Sequence, residues 1–200
     1  MKRLSRLSPC GFSLVELLVV MAVLGLLVVI ATPALHSISQ GNSVTRAGQD
    51  LADSLILSHD EAITRNRKVT IRFIKKTDSN GGGLRYRAIQ AWVTKDDAGN
   101  LAPLTRVISF PAAVVVAESP SLSPLIQAPP AQAGTMTISG VQCDYVAFTI
   151  LANGSLDSTI SNQSSFLTLV QERDVSASSP VNFFSIFLSP ITGEISTFRP

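Results

Sequence analysis

Residues 11–33 read GFSLVELLVVMAVLGLLVVIATP, and in this stretch one carboxylate, Glu16, stands at the head of an otherwise unbroken apolar run. From Leu17 to Ala31 there is no charged or strongly polar side chain. Phe12 to Ala31 is 20 residues, about 30 Å as an α-helix and enough to cross the hydrocarbon core of a bilayer. The run therefore predicts a membrane helix. Lys2, Arg3 and Arg6 precede it, and positive charge beside a first apolar helix stays on the cytoplasmic side, so the 167 residues after Pro33 are expected to face outward.

An ionised carboxylate in a membrane helix costs roughly 2.5–3.5 kcal/mol on insertion scales and is seldom kept without a partner. Cleavage between Gly11 and Phe12 would create a free α-amine four residues before Glu16, and in a side-by-side helical assembly that amine can meet the carboxylate of a neighbouring subunit. A basic leader ending in Gly11, then Phe12, then Glu16, then the apolar helix and Pro33 together resemble the class III leader and N-terminal helix of type IV pilins and type II secretion pseudopilins. The resemblance implies a prepilin peptidase that cuts after Gly11 and methylates Phe12. It also implies assembly through Glu16, a helix kink at Pro33, and partnership with other pilins or pseudopilins and with an inner-membrane assembly platform. Three plainer readings compete. Val29-Ile30-Ala31 offers small residues after an apolar core, as a secretory signal does, but leaves Glu16 without a role. Leu7-Ser8-Pro9-Cys10 looks like a lipobox, yet it precedes the apolar core instead of following it. A plain uncleaved anchor would make Gly11 and Glu16 coincidences.

The charge balance changes once a leader is removed. The chain has 16 basic and 14 acidic residues; without Lys2, Arg3 and Arg6 it has 13 against 14, about −1, so the whole-chain balance gives no argument for nucleic acid. Cys10 leaves with the leader, and Cys143 is then single, which excludes an intramolecular disulfide and leaves either a small buried hydrophobe, the favoured reading, or a thiol available for intermolecular pairing.

Beyond Pro33, over residues 34–66, the apolar pattern becomes one stripe at three- and four-residue steps: Val44, Ala47, Leu51, Leu55, Ser58, Ala62 and Ile63. Arg46, Gln49, Asp50, Asp53, Asp60 and Arg65 fall on the other side. Gly41-Asn42-Ser43 is a weak point for helix propensity. The segment Leu55 to Ile71, LILSHDEAITRNRKVTI, resembles the helix-to-first-strand signature of the GspH/FimT branch of pseudopilins and minor pilins, with His59 where that branch more often has arginine. From Val69 the period changes to two. Strands are predicted at Val69 to Phe73, Leu84 to Val93, Val107 to Phe110, Val114 to Ala117, Gln142 to Leu151, Phe166 to Glu172, Phe183 to Leu188 and Ile195 to Phe198. Asp78 to Gly83, Asp96 to Asn100, Asn153-Gly154 and Thr192-Gly193 are turns, and proline-rich Ser119 to Gly134 is an expected irregular loop. Strand following strand without an intervening helix predicts an antiparallel β domain over residues 67–200, exported if the N-terminal helix is oriented as above. The expected fold class is α+β, one long N-terminal helix packed on antiparallel sheets, and the resemblance implies that this is the type IV pilin-like fold. FTILANGSLD and LSPITGEISTF resemble late strands of GspH/FimT proteins. Trp92, the DDAGN turn and those strands together also resemble a cassette-encoded pilin-like family, Verru_Chthon cassette protein D.

Chemical constellations are few, and no catalytic residue, metal site or cofactor is expected. His36 and His59 lie 23 residues apart, about 35 Å along a continuous helix, and cannot share a site in one chain. The DDAGN turn is rich in oxygen, but its spacing is that of a turn more than of a calcium loop. Gly81 to Gly83 lacks the Lys and Ser/Thr of a phosphate loop. One charge feature stands out: Arg65, Arg67, Lys68, Arg72, Lys75, Lys76, Arg85 and Arg87 face a single acid, Asp78, giving +7 over 23 residues. This is either a solvated basic surface or a patch for an anionic partner, DNA included. The sequence thus favours a membrane-anchored pilin-like subunit that assembles into a filament for type II secretion or a type IV pilus and is not an enzyme. A DNA-binding minor pilin and an anchored domain that never polymerises are the alternatives.

Overall fold

In a computed structural model the described residues are 13–77, 83–96, 98–111, 113–127, 131–157, 160–161 and 163–200, without the side chains of 30–41. The chain divides into two units, Met1–Ser39 and Gln40–Pro200. Helix α1, Leu14–Thr64, is helical through Pro33 and through Gly41-Asn42-Ser43.

In the second unit α1 ends in a defined cap. Asn66 turns into the left-handed region at φ 50°, its N–H donates to the Ile63 carbonyl at 3.2 Å, and the Arg67 N–H reaches back to the Ala62 carbonyl at 3.0 Å. These two bonds form a Schellman motif, with asparagine in the place that glycine usually takes. The predicted stripe is the buried one: Val44, Ala47, Leu51, Leu55, Ser58 and Ala62 are all inaccessible to solvent. Ile63 is the correction, 48% exposed, because it falls next to Ala62 in the last turn and points to the other side. Arg46, Gln49, Asp50, Asp53, Asp60 and Arg65 are exposed as expected.

Ten strands follow: β1 (Val69–Lys76), β2 (Arg85–Thr94), β3 (Leu101–Pro103), β4 (Ile108–Ser109), β5 (Val114–Val116), β6 (Gln132–Ile138), β7 (Val141–Ile150), β8 (Phe166–Gln171), β9 (Phe183–Leu188) and β10 (Ile195–Phe198). They form two sheets. One has the order β3-β2-β1-β7-β6 with β4 also on β2; the other has β10-β9-β8-β5. All pairs are antiparallel. The predicted strands are present, and two were missed. β3 is only three residues long. β6 overturns part of the expected loop at 119–134: Pro124–Ile126 forms a 3-10 turn that buries Leu125 and Ile126, and pairing starts at Gln132. Ala133, Gly134 and Thr135 have little strand signature of their own. Their conformation is imposed by pairing along β7, through a hairpin turn at Ser139 and Gly140 that are both at positive φ.

The buried face of α1 and the inner faces of both sheets form one apolar core. On β1, Val69, Ile71 and Phe73 point inward, and Phe73 stacks on Phe148 with centroids 6.1 Å apart. Sheet and helix approach closely at Gly48, where a Cβ would collide with the Phe184 ring of β9. Full burial of a leucine such as Leu51 or Leu55 contributes about 1.5–3 kcal/mol, and α1 supplies several such residues to the seam between the sheets.

Candidate functional site

The first unit carries Glu16. It lies in the first turn of α1, where a carboxylate is favoured by the unpaired N–H groups and the positive end of the helix dipole. Among the described residues it has no hydrogen-bond or ion-pair partner. Gly11 and Phe12, the expected cleavage and methylation positions, lie outside the described residues. From Leu14 to Val29 every side chain is exposed, Leu14 at 80% and Val29 at 73%. An all-round apolar helix has no stable place in water, so this unit demands a lipid or protein environment. Among the described residues no helix is long and apolar enough to cross a membrane.

The basic run of residues 65–87 is divided by the fold into three places. At the end of α1, Arg65 pairs with Glu61 one turn earlier, and Arg67 Nη1 donates to the carbonyls of Lys95 (2.6 Å) and Thr94 (3.3 Å), tying the helix end to β2. These two residues and exposed Lys68 line a cavity of about 660 Å³ with Thr94, Asp96 and Gly99. On the outer face of the first sheet, Arg72 lies between two rings. Its guanidinium carbon is 4.3 Å from the Trp92 centroid and 4.5 Å from that of Tyr145, close enough for cation–π attraction on both sides. At the far end of the sheet, Lys75 and Arg85 share Glu118, at 3.1 and 3.3 Å. Arg87, almost fully buried, pairs with Glu172, and Lys76 reaches Ser109 Oγ at 3.4 Å.

Glu118 follows β5 and Glu172 follows β8, both in the second sheet, while their cationic partners are on β1 and β2 of the first. The two clusters are therefore charged ties between the sheets. Burial, and then the Glu118 and Asp144 carboxylates, push the Tyr86 phenol up to about 12, with Lys75 Nζ 4.7 Å from its ring centroid. No local signal could have revealed these acids, which are 33 to 85 residues from their partners. The Arg72 sandwich was closer to legible: once Arg72 is opposite Gln90, period-two alternation puts Trp92 on the same face.

His59 joins two turns. Its Nε2 is 3.0 Å from the Thr192 carbonyl oxygen, which fits Nε2–H as donor. Gly193 (φ +70°) and Gly154 (φ +85°) pack against the ring and against each other so tightly that a Cβ on either would collide. The two late glycine turns seen in sequence thus meet on His59. In the Asp96–Asn100 turn both Asp96 oxygens accept from Asn100, from its side chain at 2.8 Å and its backbone N–H at 3.0 Å. These bonds hold the Asp96 carboxyl below its ordinary range, the side-chain bond contributing most. Cys143 is a buried free thiol beside Ile74 and Ala88.

Residues 8–32 match the prokaryotic N-terminal methylation motif. Among curated proteins none matches the chain. Among solved structures, the minor pseudopilin EpsH of the type 2 secretion system of Vibrio cholerae aligns with 79% of this chain and 98% of its own, at 10% identity and TM-score 0.45. The type IV minor pilin FimU of Pseudomonas aeruginosa aligns with 82% and 96%, at 17% identity and TM-score 0.45.

Proposed function

We propose that this pilin-like chain is a membrane-anchored, exported filament subunit that acts by assembly and not by catalysis. The observation that carries the reading is the N-terminal methylation motif over residues 8–32, set on the start of α1, where from Leu14 to Val29 the apolar side chains are exposed all round and the one carboxylate, Glu16, has no partner among the described residues. A prepilin peptidase cuts after Gly11 and methylates Phe12, and Glu16 then takes the Phe12 amine of the neighbouring subunit. In an apolar bundle that pair is the only strong electrostatic contact, so it sets the register in which helices dock. The apolar run from Phe12 to Ala31, which in the sequence extends past the described side chains at both ends, crosses the inner membrane once, with the N-terminus cytoplasmic, and the unit from Gln40 onward is presented outside. The machine served is a type II secretion system or a type IV pilus. The basic run supports a structural role better than DNA binding, because Arg65, Lys75, Arg85 and Arg87 are neutralised by this chain's own acids.

The test is the intact mass and N-terminal peptide of the protein from its native membranes. A start at Phe12 carrying one added methyl is the expected result. A start at Met1 would leave an uncleaved anchor, and a start at Thr32 a secreted protein; either refutes the proposal.

A further inference from the structure

A sheet ends in a strand with a row of unpaired backbone N–H and C=O groups, and folded proteins keep such edges from pairing by making them short, charged or proline-bearing. Most edges here are guarded in this way. β3 is three residues ending in Pro103 and β4 only two. β5 is three residues. β10 is four residues between Glu194 and Arg199. β6 follows Pro129 and Pro130, but along the strand itself it has none of these devices. It is seven residues, QAGTMTI, without charge or proline, it closes the sheet on the side away from β3, and Ala133, Thr135 and Thr137 are exposed along it. Among the described residues β6 pairs only with β7.

We infer that β6 is an interaction edge whose partner is β6 of a second copy of this chain, paired antiparallel about a two-fold axis through Thr135. The strand is complementary to itself in that register. Thr135 faces Thr135, a cross-strand threonine pair of the kind that stabilises sheets. Ala133 faces Thr137. Met136 faces Gly134, whose missing side chain leaves its place to the Tyr145 ring, so the methionine sulfur of one copy comes against an aromatic ring of the other. No like charges are opposed at the seam. The acid nearest to it on the Thr135 face, Asp144, lies one strand further in on each copy, which separates the two carboxylates by three strand spacings, about 14 Å, beyond the screening length at physiological salt. The contact is a property of the folded unit and goes beyond the helix-driven assembly proposed above.

The experiment is disulfide trapping of the full chain, extracted from membranes in mild detergent. In an antiparallel pair facing Cα atoms are about 4.5–5.5 Å apart, within disulfide reach, so Thr135→Cys is expected to give a covalent dimer on oxidation. Thr137→Cys puts its thiols four residues apart, about 14 Å, and is expected to give at least tenfold less dimer alone, yet to cross-link with Ala133→Cys when the two are mixed. The unsubstituted chain, with Cys143 buried, is the background. Thr135→Lys puts two ammonium groups at the axis and is expected to weaken association measured by light scattering at least tenfold, with Trp92 fluorescence unchanged as evidence of folding. Absence of a Thr135→Cys dimer in a folded protein overturns the inference. So does equal cross-linking at 135 and 137, or cross-linking of Thr135→Cys in native membranes to a different protein.

Discussion

Removing the Glu172 carboxylate tests whether the basic run is spent inside the molecule. Arg87 keeps 8% of its side-chain exposure and Glu172 27%. Arg87 Nε is also buried without a partner, so the guanidinium depends on Glu172 for compensation. Breaking a buried pair by removing one partner costs about 3–5 kcal/mol, because the remaining charge is left desolvated. Since Glu172 retains some solvent contact, about 3 kcal/mol is expected for Glu172→Ala. By contrast, Glu118→Ala breaks ties whose side chains are 25–36% exposed, in the range where ion pairs contribute about 1 kcal/mol or less. Arg87→Met removes the charge together with the unsatisfied nitrogen, keeps most of the buried volume and leaves Glu172 with its own solvent contact, and is expected to cost under about 1.5 kcal/mol. The assay is urea unfolding of the full chain in non-denaturing detergent, followed by Trp92, the single tryptophan, which sits on the first sheet. With an m-value of about 2 kcal/mol/M, Glu172→Ala lowers the midpoint by about 1.5 M and Glu118→Ala by about 0.5 M or less. An Arg87→Met midpoint as low as that of Glu172→Ala, or equal small shifts for the two acid deletions, would refute the reasoning that desolvation at Arg87 sets the scale.

Tyr86 gives a pH prediction. Its folded pKa, about 12, is above the ordinary 10, so its contribution to stability is complete below pH 10 and is lost as pH rises from 10 through 12. The loss is about 2 kcal/mol, read as a falling urea midpoint that Tyr86→Phe flattens; a Tyr86→Phe profile as steep as that of the parent chain counts against it. For the N-terminal helix, Glu16→Ala is expected to be inserted and cleaved at the parent rate but to be missing from sheared filaments, at least tenfold below the parent by immunoblot. Normal incorporation would sink the pairing of Glu16 with the Phe12 amine.

The sequence by itself determined what depends on local pattern. A carboxylate ahead of an unbroken apolar run fixes the character of the N-terminal helix, since each residue's cost in lipid or water adds independently along it. The stripe from Val44 to Ala62 fixes which face of α1 is buried, and the change of period at Val69 fixes where the helix gives way to strands. What lay beyond the sequence was everything set by partners distant along the chain. Gln132–Ile138 opens on Gln-Ala-Gly shortly after two prolines and alternates only over its last four residues, too short a signal to declare itself, and becomes a strand because β7 offers it a ladder. The eight cations of residues 65–87 look like one patch in sequence, but a strand and its neighbour turn alternate side chains to opposite faces. The sheet sandwich then brings Glu118 and Glu172 to some of the cations and two aromatic rings to another. Charge adds along a sequence, whereas its availability to a partner depends on desolvation and pairing, and those are properties of the packed sheets alone.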